Sequence, residues 1–234
     1  MDATALILAA GGRGLRFGGA CLKTLVALEG EPVVRRALRA FAGRVAHTVL
    51  VVPAGCEAAF AAAVGDVSGA LEIVAGGARR QDSVAAGLRA LPTGAAWVLV
   101  HDAARPLVAP ETVAAVLAAA RAHGAAIPVV PVDSTLKAVA PDGRVRHTVA
   151  REELCLVQTP QGFRRDLLEA ALARAGGADR TFTDESALLE DAGFAVMTVP
   201  GDPFNRKITT SADLAWAASW LRAGGLRAAA TGAV

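Results

Sequence analysis

A hydrophobic strand that opens into a glycine-rich loop decides the fold of this chain, and it reads Leu6-Ile7-Leu8-Ala9-Ala10-Gly11-Gly12-Arg13-Gly14-Leu15-Arg16-Phe17-Gly18-Gly19. No acidic residue lies between Ala3 and Leu28, and Lys23 adds a further cation after the run. Glycines allow backbone N–H groups to approach phosphate oxygens closely, and fixed cations offset the phosphate charge. The run therefore predicts a polyphosphate-binding loop, with a flexible turn that carries solvated arginines as the alternative.

The loop differs from two familiar phosphate-binding motifs. A Walker A loop has a glycine directly before its Lys-Thr pair, whereas Leu22 precedes Lys23 here. A dinucleotide fingerprint needs a third glycine where Phe17 stands, and an acidic residue at the end of the second strand, where the chain has Val52-Pro53. Neither a P-loop NTPase nor an NAD-type oxidoreductase is therefore indicated.

Apolar runs and amphipathic stretches alternate along the rest of the chain. The predicted strands are Ala5–Ala9, Thr48–Val52, Leu71–Val74, Trp97–His101, Ala125–Val132 and Leu154–Thr159. The predicted helices are Val33–Ala42, Glu57–Val64, Asp82–Leu91, Pro110–His123, Arg165–Ala175, Asp184–Asp191 and Ala212–Leu221. This order predicts an α/β, Rossmann-like three-layer fold with a mainly parallel sheet. Because ligands bind at the carboxyl ends of such strands, we expect Gly11–Lys23, Gly76–Ser83 and Asp102–Pro106 to be neighbours.

One segment breaks the alternation. Two strand-like runs, Ser134–Val139 and Arg144–Val149, flank the turn Ala140-Pro141-Asp142-Gly143. This pattern predicts a β-hairpin arm at about 133–150 that projects from a single domain of residues 1–224, while the Ala/Gly-rich residues 225–234 are expected to fray. Because an isolated hairpin is marginally stable, we expect the arm to pack on a partner subunit. The alternative is a hairpin folded against its own domain.

Composition argues against several classes of protein. The chain has 24 basic and 22 acidic residues, and a net charge of +2 does not favour a nucleic-acid or membrane-surface partner. No apolar run approaches the ~20 residues that span a bilayer, and Asp2 stands where a secretion signal needs positive charge. Cys21, Cys56 and Cys155 have no paired spacing, which predicts reduced thiols and a cytoplasmic location. The four histidines lack metal-ligand spacing, so a zinc site is not predicted.

Two further segments carry groups suited to a nucleotide or a phosphate. Gly76–Ser83 ends a strand and opens a helix, so its glycines can face a base and Ser83 can bind a ribose hydroxyl. For Ser83 alone, helix capping is the commoner role. Asp102 and Arg105 follow a buried strand, where Asp102 can ligate Mg²⁺ or a substrate hydroxyl and Arg105 can bind a phosphate. The alternative is a local ion pair that holds a turn.

Together these segments resemble the 2-C-methyl-D-erythritol 4-phosphate cytidylyltransferases of the non-mevalonate isoprenoid pathway, from about Thr4 to Leu221. The most specific matches are His101-Asp102-Ala103-Ala104-Arg105-Pro106, Asp133-Ser134-Thr135-Leu136-Lys137, Thr159-Pro160-Gln161, Thr183-Asp184-Glu185 and Asn205-Arg206-Lys207-Ile208-Thr209. The resemblance implies a nucleotidyltransferase fold and transfer of CMP from CTP to 2-C-methyl-D-erythritol 4-phosphate. It also implies Mg²⁺ bound mainly through the CTP phosphates, and a homodimer joined by the hairpin arm.

The same resemblance implies roles for three groups of residues. One cationic pair stabilises the transition state at the α-phosphate and a second pair positions the sugar phosphate: they are Arg16 with Lys23, and Arg151 with Lys207. The nucleotide contacts are Ala9, Ala10, Gly11, Gly77 and Ser83. The sugar-phosphate contacts are Asp102, Arg105 and Thr135. Because the family's hairpin interlocks two subunits, Arg105, Thr135 and Arg151 are expected to reach the neighbouring subunit's site.

Three positions depart from the usual pattern of that family. The loop has one additional residue between Gly11 and Arg16, Leu22 replaces a proline, and Ala78 replaces a common aspartate. The first two bear on the phosphate geometry and the third on the choice of nucleotide. Two other functions stay open on the sequence: a cytidylyltransferase for another polyol phosphate such as ribitol 5-phosphate, and a non-catalytic nucleotide-binding module.

Overall fold

The computed structural model describes residues 3–11, 23–67, 69–176 and 180–225; Arg16 with the rest of the glycine-rich loop, and the tail from residue 226 onward, lie outside them. The strands are β1 (Ala3–Ala9), β2 (Ala27–Leu28), β3 (Glu31–Pro32), β4 (His47–Val52), β5 (Ala70–Ala75), β6 (Ala95–Asp102), β7 (Ala125–Pro131), β8 (Leu136–Val139), β9 (Val145–Val149), β10 (Cys155–Val157), β11 (Gln161–Arg164) and β12 (Met197–Pro200). The helices are α1 (Val33–Arg39), α2 (Glu57–Val64), α3 (Arg80–Ala90), α4 (Pro110–His123), α5 (Arg165–Ala175), α6 (Glu185–Asp191) and α7 (Ser211–Arg222).

Eight of these strands form one sheet, in the order β10-β7-β11-β6-β1-β4-β5, with β12 paired to β7. β1 lies between β4 and β6 and runs parallel to both, so Leu6 pairs with Thr48 on one side and with Leu99 on the other. β5 and β12 are also parallel to their neighbours, whereas β10 and β11 are antiparallel. The predicted, mainly parallel sheet is confirmed.

The side chains of β1 show why both faces of the sheet are covered. Ala5 and Ile7 pack with residues of α3, α5 and α6 on one face, whereas Leu6 and Leu8 pack with residues of α1, α2 and α4 on the other. All four side chains are fully buried. Successive residues of a strand point to opposite faces, so an uninterrupted apolar run requires a helical layer on each face. The three-layer prediction is confirmed.

Gly87 sets how closely α3 approaches the sheet. A Cβ atom there would lie 2.8 Å from Ile7 Cγ2 and 2.9 Å from Val51 Cγ2. These distances are too short for carbon atoms, so a side chain would push α3 off the sheet. The glycine thereby places the first turn of α3 beside the carboxyl ends of β1 and β4.

The antiparallel strands differ from the sequence-based prediction. The predicted strand Leu154–Thr159 is shorter in the structure, where β10 pairs with the end of β7 and β11 follows between β6 and β7. β11 was not predicted because it begins with Gln161 and Gly162, which are untypical of a core strand. Gly162 is required there, since a Cβ atom would lie 2.9 Å from Val116 Cγ1 of α4.

The predicted hairpin arm is confirmed as β8 and β9, which form a two-stranded sheet of their own. Val139 and Val145 pair across it, and they are 54% and 60% exposed. These two valines are therefore not covered by their own domain, whereas Leu136 and Ala138 on the same arm are half-buried. Packing of the arm on a partner subunit stays a prediction. Among the helices that the structure describes, none is long and apolar enough to cross a membrane.

Candidate active site

The described residues of the three segments predicted to be neighbours lie at the carboxyl ends of the central strands; residues 12–22 of the first segment are outside the described ranges. The Ala103 amide donates to the Ala9 carbonyl at 3.0 Å, and the Ala10 amide donates to the Val51 carbonyl at 2.8 Å. A Cβ atom on Gly11 would lie 3.7 Å from Ser83 Oγ. The first residues of the glycine loop therefore lie beside both the Gly76–Ser83 segment and the turn after β6.

Gly77 and Ser83 form one hydrogen-bonded unit. The Gly77 amide donates to Ser83 Oγ at 3.1 Å, and that hydroxyl lies 3.2 Å from the Arg79 carbonyl oxygen. A Cβ atom on Gly77 would lie 2.4 Å from Asp82 Cβ, so the position admits only glycine. The capping role considered for Ser83 is wrong, because α3 begins earlier and Asp82 caps it by accepting from the Arg79 amide at 3.1 Å.

Asp102, at the end of β6, is the centre of charge in the site. Its Oδ1 lies 2.7 Å from Arg80 Nη1, and its Oδ2 lies 2.8 Å from Lys207 Nζ and 3.6 Å from Arg105 Nε. Burial raises the pKa of this carboxyl, but the charges of Arg80, Lys207 and Arg105 outweigh burial and hold the pKa well below its ordinary value. Asp102 is therefore an ionised anchor for three cations. The local Asp102–Arg105 ion pair, the alternative interpretation of these two residues, is present, but it is the longest of the three contacts.

A short segment after β12 brings Lys207 to this anchor and is itself contacted by Lys23. The Ile208 amide donates to the Ala104 carbonyl at 2.8 Å, which lays the segment along the turn after β6. Lys207 reaches Asp102, and Lys23 Nζ donates to the Ile208 carbonyl at 2.9 Å. Ile208 is itself buried in a cluster with α7, so the segment has a firm support. Two of the four predicted catalytic cations are thus tied to one short segment of chain.

Arg105 belongs to the same cluster. Its Nη1 donates to the Asn205 carbonyl at 2.8 Å, and only 13% of its side chain is exposed. Burial lowers the pKa of Arg105 and the charge of Asp102 opposes that shift. These contacts hold its guanidinium at its own chain's Asp102, and its reach to a neighbouring subunit's site stays a prediction.

His101 is buried behind Asp102 and supports the turn. Thr159 Oγ1 accepts from the Asp102 amide at 3.1 Å and lies 2.9 Å from His101 Nδ1, while His101 Nε2 lies 3.1 Å from the Arg105 carbonyl oxygen. Burial lowers the pKa of His101 to about 4, so the imidazole is neutral. Its proton is on Nε2, because only that tautomer donates to the carbonyl and accepts from the threonine hydroxyl.

Arg80 and Glu185 are site residues that spacing in the sequence did not reveal. Arg80 Nε and Nη2 lie 2.9 Å and 2.8 Å from the two carboxylate oxygens of Glu185, which is completely buried. Burial lowers the pKa of Arg80, but Glu185 and Asp102 outweigh burial and raise it. Both residues lie in segments that the sequence analysis names. Their pairing joins positions far apart in the chain, so it can be recognised only in the folded structure.

Thr135 and Arg151 lie at the base of the hairpin arm. Thr135 is exposed, and Arg151 Nη1 donates to the Asp133 carbonyl. Within the described ranges, no contact joins either residue to Asp102 or to the lysines. A single chain therefore unites Lys23 with Lys207 and leaves Arg151 on the arm, while Arg16 lies outside the described residues.

The side chains of the site do not fit a metal ion held by the protein. Both oxygens of Asp102 are paired with cations, which conflicts with its interpretation as a Mg²⁺ ligand. Across the described parts of the chain, no group of three His, Cys, Asp or Glu side chains is arranged to hold a metal ion.

Comparison with known proteins points in one direction. The family model for 2-C-methyl-D-erythritol 4-phosphate cytidylyltransferase matches residues 4–223. A protein of that name from Frankia casuarinae is 45% identical over 220 residues, which are 93% of this chain and 80% of that protein. A bifunctional enzyme IspD/IspF from an Anaeromyxobacter species is 47% identical, and the match covers 95% of this chain but 58% of that longer protein.

Solved structures agree with the sequence relatives. The crystal structure of 2-C-methyl-D-erythritol 4-phosphate cytidylyltransferase from Thermus thermophilus superimposes with a TM-score of 0.78 at 36% identity, covering 95% of this chain and all (100%) of that one. A 4-diphosphocytidyl-2C-methyl-D-erythritol synthase from Anaerococcus prevotii gives a TM-score of 0.82 at 27% identity, covering 94% and 99% of the two chains.

Proposed function

Because this chain belongs to the 2-C-methyl-D-erythritol 4-phosphate cytidylyltransferase family, we propose that it transfers CMP from CTP to 2-C-methyl-D-erythritol 4-phosphate in isoprenoid precursor biosynthesis. The observation that carries the site assignments is that Lys207 pairs with Asp102 while Lys23 binds the carbonyl of the next residue, Ile208, at the edge of the sheet where Gly77 and Ser83 also lie. Positive charge from four separate stretches of chain is held around this segment before any substrate binds.

The reaction is an in-line displacement. An oxygen of the 4-phosphate attacks the α-phosphorus of CTP, the bond from that phosphorus to the bridging oxygen breaks, and pyrophosphate leaves. A phosphate monoester is already anionic near neutral pH, so no general base is needed, and the buried, neutral His101 is not required as one. The barrier arises from repulsion between two anions, and cations fixed in advance lower it.

Lys23 is proposed to stabilise the charge that develops on the α-phosphoryl group, together with Arg16. Its ammonium group is anchored on the Ile208 carbonyl, so little reorganisation is needed when the nucleotide arrives. Ala9 and Ala10 are tied by backbone hydrogen bonds to β6 and β4, and they present Gly11 next to Ser83. These residues and Gly77 are proposed to bind the cytidine nucleotide.

The polyol phosphate is proposed to bind beside Asp102, on the side away from the nucleotide-binding residues Gly11, Gly77 and Ser83. Lys207 and Arg105 supply positive charge for its phosphate, and the Asp102 carboxylate can accept from a hydroxyl group. Arg151 and Thr135 complete this half of the site from the arm of a second copy. The exposed valines of the arm support that arrangement, because apolar side chains on both strands are left without cover in one chain.

We propose that Mg²⁺ accompanies CTP, bound through the phosphate oxygens rather than by protein side chains. The pairing of both Asp102 oxygens with cations supports this assignment. When bound, the ion supplies further positive charge to the triphosphate. Chelation with EDTA is expected to abolish turnover, and added Mg²⁺ to restore it; full turnover in EDTA would contradict the requirement.

A pyrophosphate-release assay tests the function. It crosses CTP, UTP and ATP with 2-C-methyl-D-erythritol 4-phosphate and ribitol 5-phosphate, and we expect turnover with CTP and the methylerythritol phosphate. Preference for ribitol 5-phosphate would assign another polyol substrate. CTP binding without pyrophosphate release from any pair would identify a non-catalytic module and end the proposal.

A further inference from the structure

Arg80 is shared between two buried carboxylates. Its Nε and Nη2 bind the two oxygens of Glu185 at 2.9 Å and 2.8 Å, and only Nη1 reaches Asp102, at 2.7 Å. The Arg80 side chain is 21% exposed, and that of Glu185 is 0% exposed. Neither residue has a role in the reaction described so far.

This division leaves one oxygen of Asp102 outside the contact with Arg80. Oδ1 accepts from Arg80, whereas Oδ2 faces Lys207 at 2.8 Å. Arginine and carboxylate groups favour a bidentate pair in which two N–H groups meet two oxygens. Glu185 occupies the Nε–Nη2 edge of the guanidinium, and the other bidentate edge shares Nη2 with it, so only Nη1 remains for Asp102.

The backbone at Glu185 is fixed by a third buried side chain. Gln161 Oε1 accepts from the amides of Glu185 and Ser186 at 3.1 Å and 3.0 Å, while Gln161 Nε2 donates to Asp184 Oδ2 at 2.9 Å. Gln161 is 0% exposed. The carboxylate of Glu185 therefore has little freedom to move, and it sets the plane of the Arg80 guanidinium.

We propose that Glu185 is a positioning residue for the polyol phosphate, because by holding one edge of Arg80 it keeps Oδ2 of Asp102 available to Lys207 and to the substrate. This inference rests on the proposed function, in which Asp102 and Lys207 bind the polyol phosphate. When Glu185 no longer holds that edge, Arg80 turns toward Asp102, pairs with both of its oxygens and releases Lys207 from its position.

The test is steady-state kinetics of Glu185→Gln and Glu185→Asp in the full-length chain. The glutamine removes the charge, and we expect the KM for 2-C-methyl-D-erythritol 4-phosphate to rise about tenfold while the KM for CTP changes less than about twofold. The aspartate keeps the charge but is one methylene shorter, so a smaller rise of about threefold is expected. A role limited to stability would instead lower the melting temperature and the active fraction, and would leave both KM values unchanged.

Two controls separate positioning from general damage. Glu31→Gln removes another little-exposed carboxylate that pairs with arginines, at β3, and it should leave the KM for the polyol phosphate unchanged. In a chain that carries Arg80→Lys, which offers only one point of contact, the addition of Glu185→Gln should raise the KM no further.

The outcomes are distinct. An unchanged KM for the polyol phosphate in folded Glu185→Gln overturns the inference, and if that variant does not fold, an unchanged value in Glu185→Asp overturns it. Additive effects of the two substitutions would also overturn it, because Glu185 would then act independently of Arg80. Absence of turnover in the wild-type chain would instead reject the proposed function.

Discussion

The Asp102 cluster and the hairpin arm contribute to the same proposed site but are built in opposite ways. Asp102 is 6% exposed and lies within 3.6 Å of the charged groups of Arg80, Arg105 and Lys207. On the arm, Val139 and Val145 are more than half exposed. The cluster is held by ion pairs and burial, whereas the arm is held by one pair of strands.

This difference shows which part of the proposed site a single chain can position by itself. Lys23, proposed to stabilise the α-phosphate, and Lys207, proposed to receive the sugar phosphate, are held before substrate binds, and that preorganisation lowers the barrier. The arm residues Thr135 and Arg151 lack such support, so they are expected to acquire their positions on a second copy. Substitutions in the cluster should therefore impair chemistry and stability, and substitutions in the arm should impair assembly.

The largest effect is expected from Lys23→Ala. Removal of one preorganised cation from the α-phosphate should lower kcat by about 10²- to 10³-fold, with a modest change in the KM for CTP. Pyrophosphate release measures both constants. Arg44→Ala removes an equal charge from the exposed loop before β4 and should have no effect. Near-normal turnover of Lys23→Ala would show that the cluster does not supply the stabilising charge.

The second effect concerns stability in acid. The pKa of His101 falls from 6.5 to about 4 on folding, so between these values the unfolded chain binds a proton that the folded chain does not. The free energy of unfolding should therefore decrease as the pH falls through this window, by about 3 kcal/mol in total. Above about pH 6.5 the imidazole is neutral in both states, so its titration should not change the stability.

Denaturant titrations of the wild-type chain and His101→Gln from about pH 7 to about pH 5 isolate the contribution of this residue. Glutamine does not titrate, and its amide can still donate to the Arg105 carbonyl. The difference in stability between the two proteins should narrow as the pH falls. Parallel pH profiles would mean that His101 is protonated as readily in the folded chain as in the unfolded one.

A third substitution distinguishes two adjacent cations. Lys207 contacts Asp102, whereas Arg206 stacks on Trp216 with its guanidinium carbon 4.5 Å from the ring centroid. Lys207→Ala should raise the KM for the polyol phosphate about tenfold, while Arg206→Ala should change it less than about twofold. If Lys207→Ala changed only the KM for CTP, the assignment of Lys207 to the polyol phosphate would be wrong.

The smallest effect is expected on the arm. Val145→Asp puts a charge into the apolar pair with Val139, and it should convert the proposed dimer into a monomer on sedimentation. The resulting loss of Arg151 from the partner should raise the KM for the polyol phosphate by roughly fivefold, or about 1 kcal/mol. Val145→Thr, which keeps the branched shape, is the matched control. A dimer that persists in Val145→Asp would mean that the arm is not the interface.

Much of the framework followed from local patterns in the sequence. The apolar run at Leu6–Leu8 predicted a strand buried on both faces, and the turn Ala140–Gly143 predicted the arm. The position of Asp102 after a buried strand predicted its place at the ligand-binding edge. These features depend on neighbours in the chain, so periodicity and turn chemistry reveal them.

The remainder depended on contacts between distant residues. The pairing of Arg80 with Glu185 joins α3 to α6, and no spacing indicates it. Ser83 was considered as a helix cap, but the helix begins three residues earlier because Asp82 caps it. The role of Arg16 stays a prediction, since it lies outside the described residues. Local sequence patterns cannot distinguish two possible roles of a residue when contacts with distant residues determine which role it has.

The most direct test of the shared site is a mixing experiment with Lys23→Ala and Arg151→Ala, each inactive or impaired alone. If Arg151 serves the partner's site, random exchange makes half of the dimers mixed, and each mixed dimer has one intact site. At a polyol phosphate concentration well below KM, where Arg151→Ala keeps about a fifth of its activity, pyrophosphate release should rise on exchange from about a tenth to about three tenths of the wild-type rate. No recovery in a mixture whose subunits have exchanged would contradict the account, because both substitutions would then impair the same site of each chain.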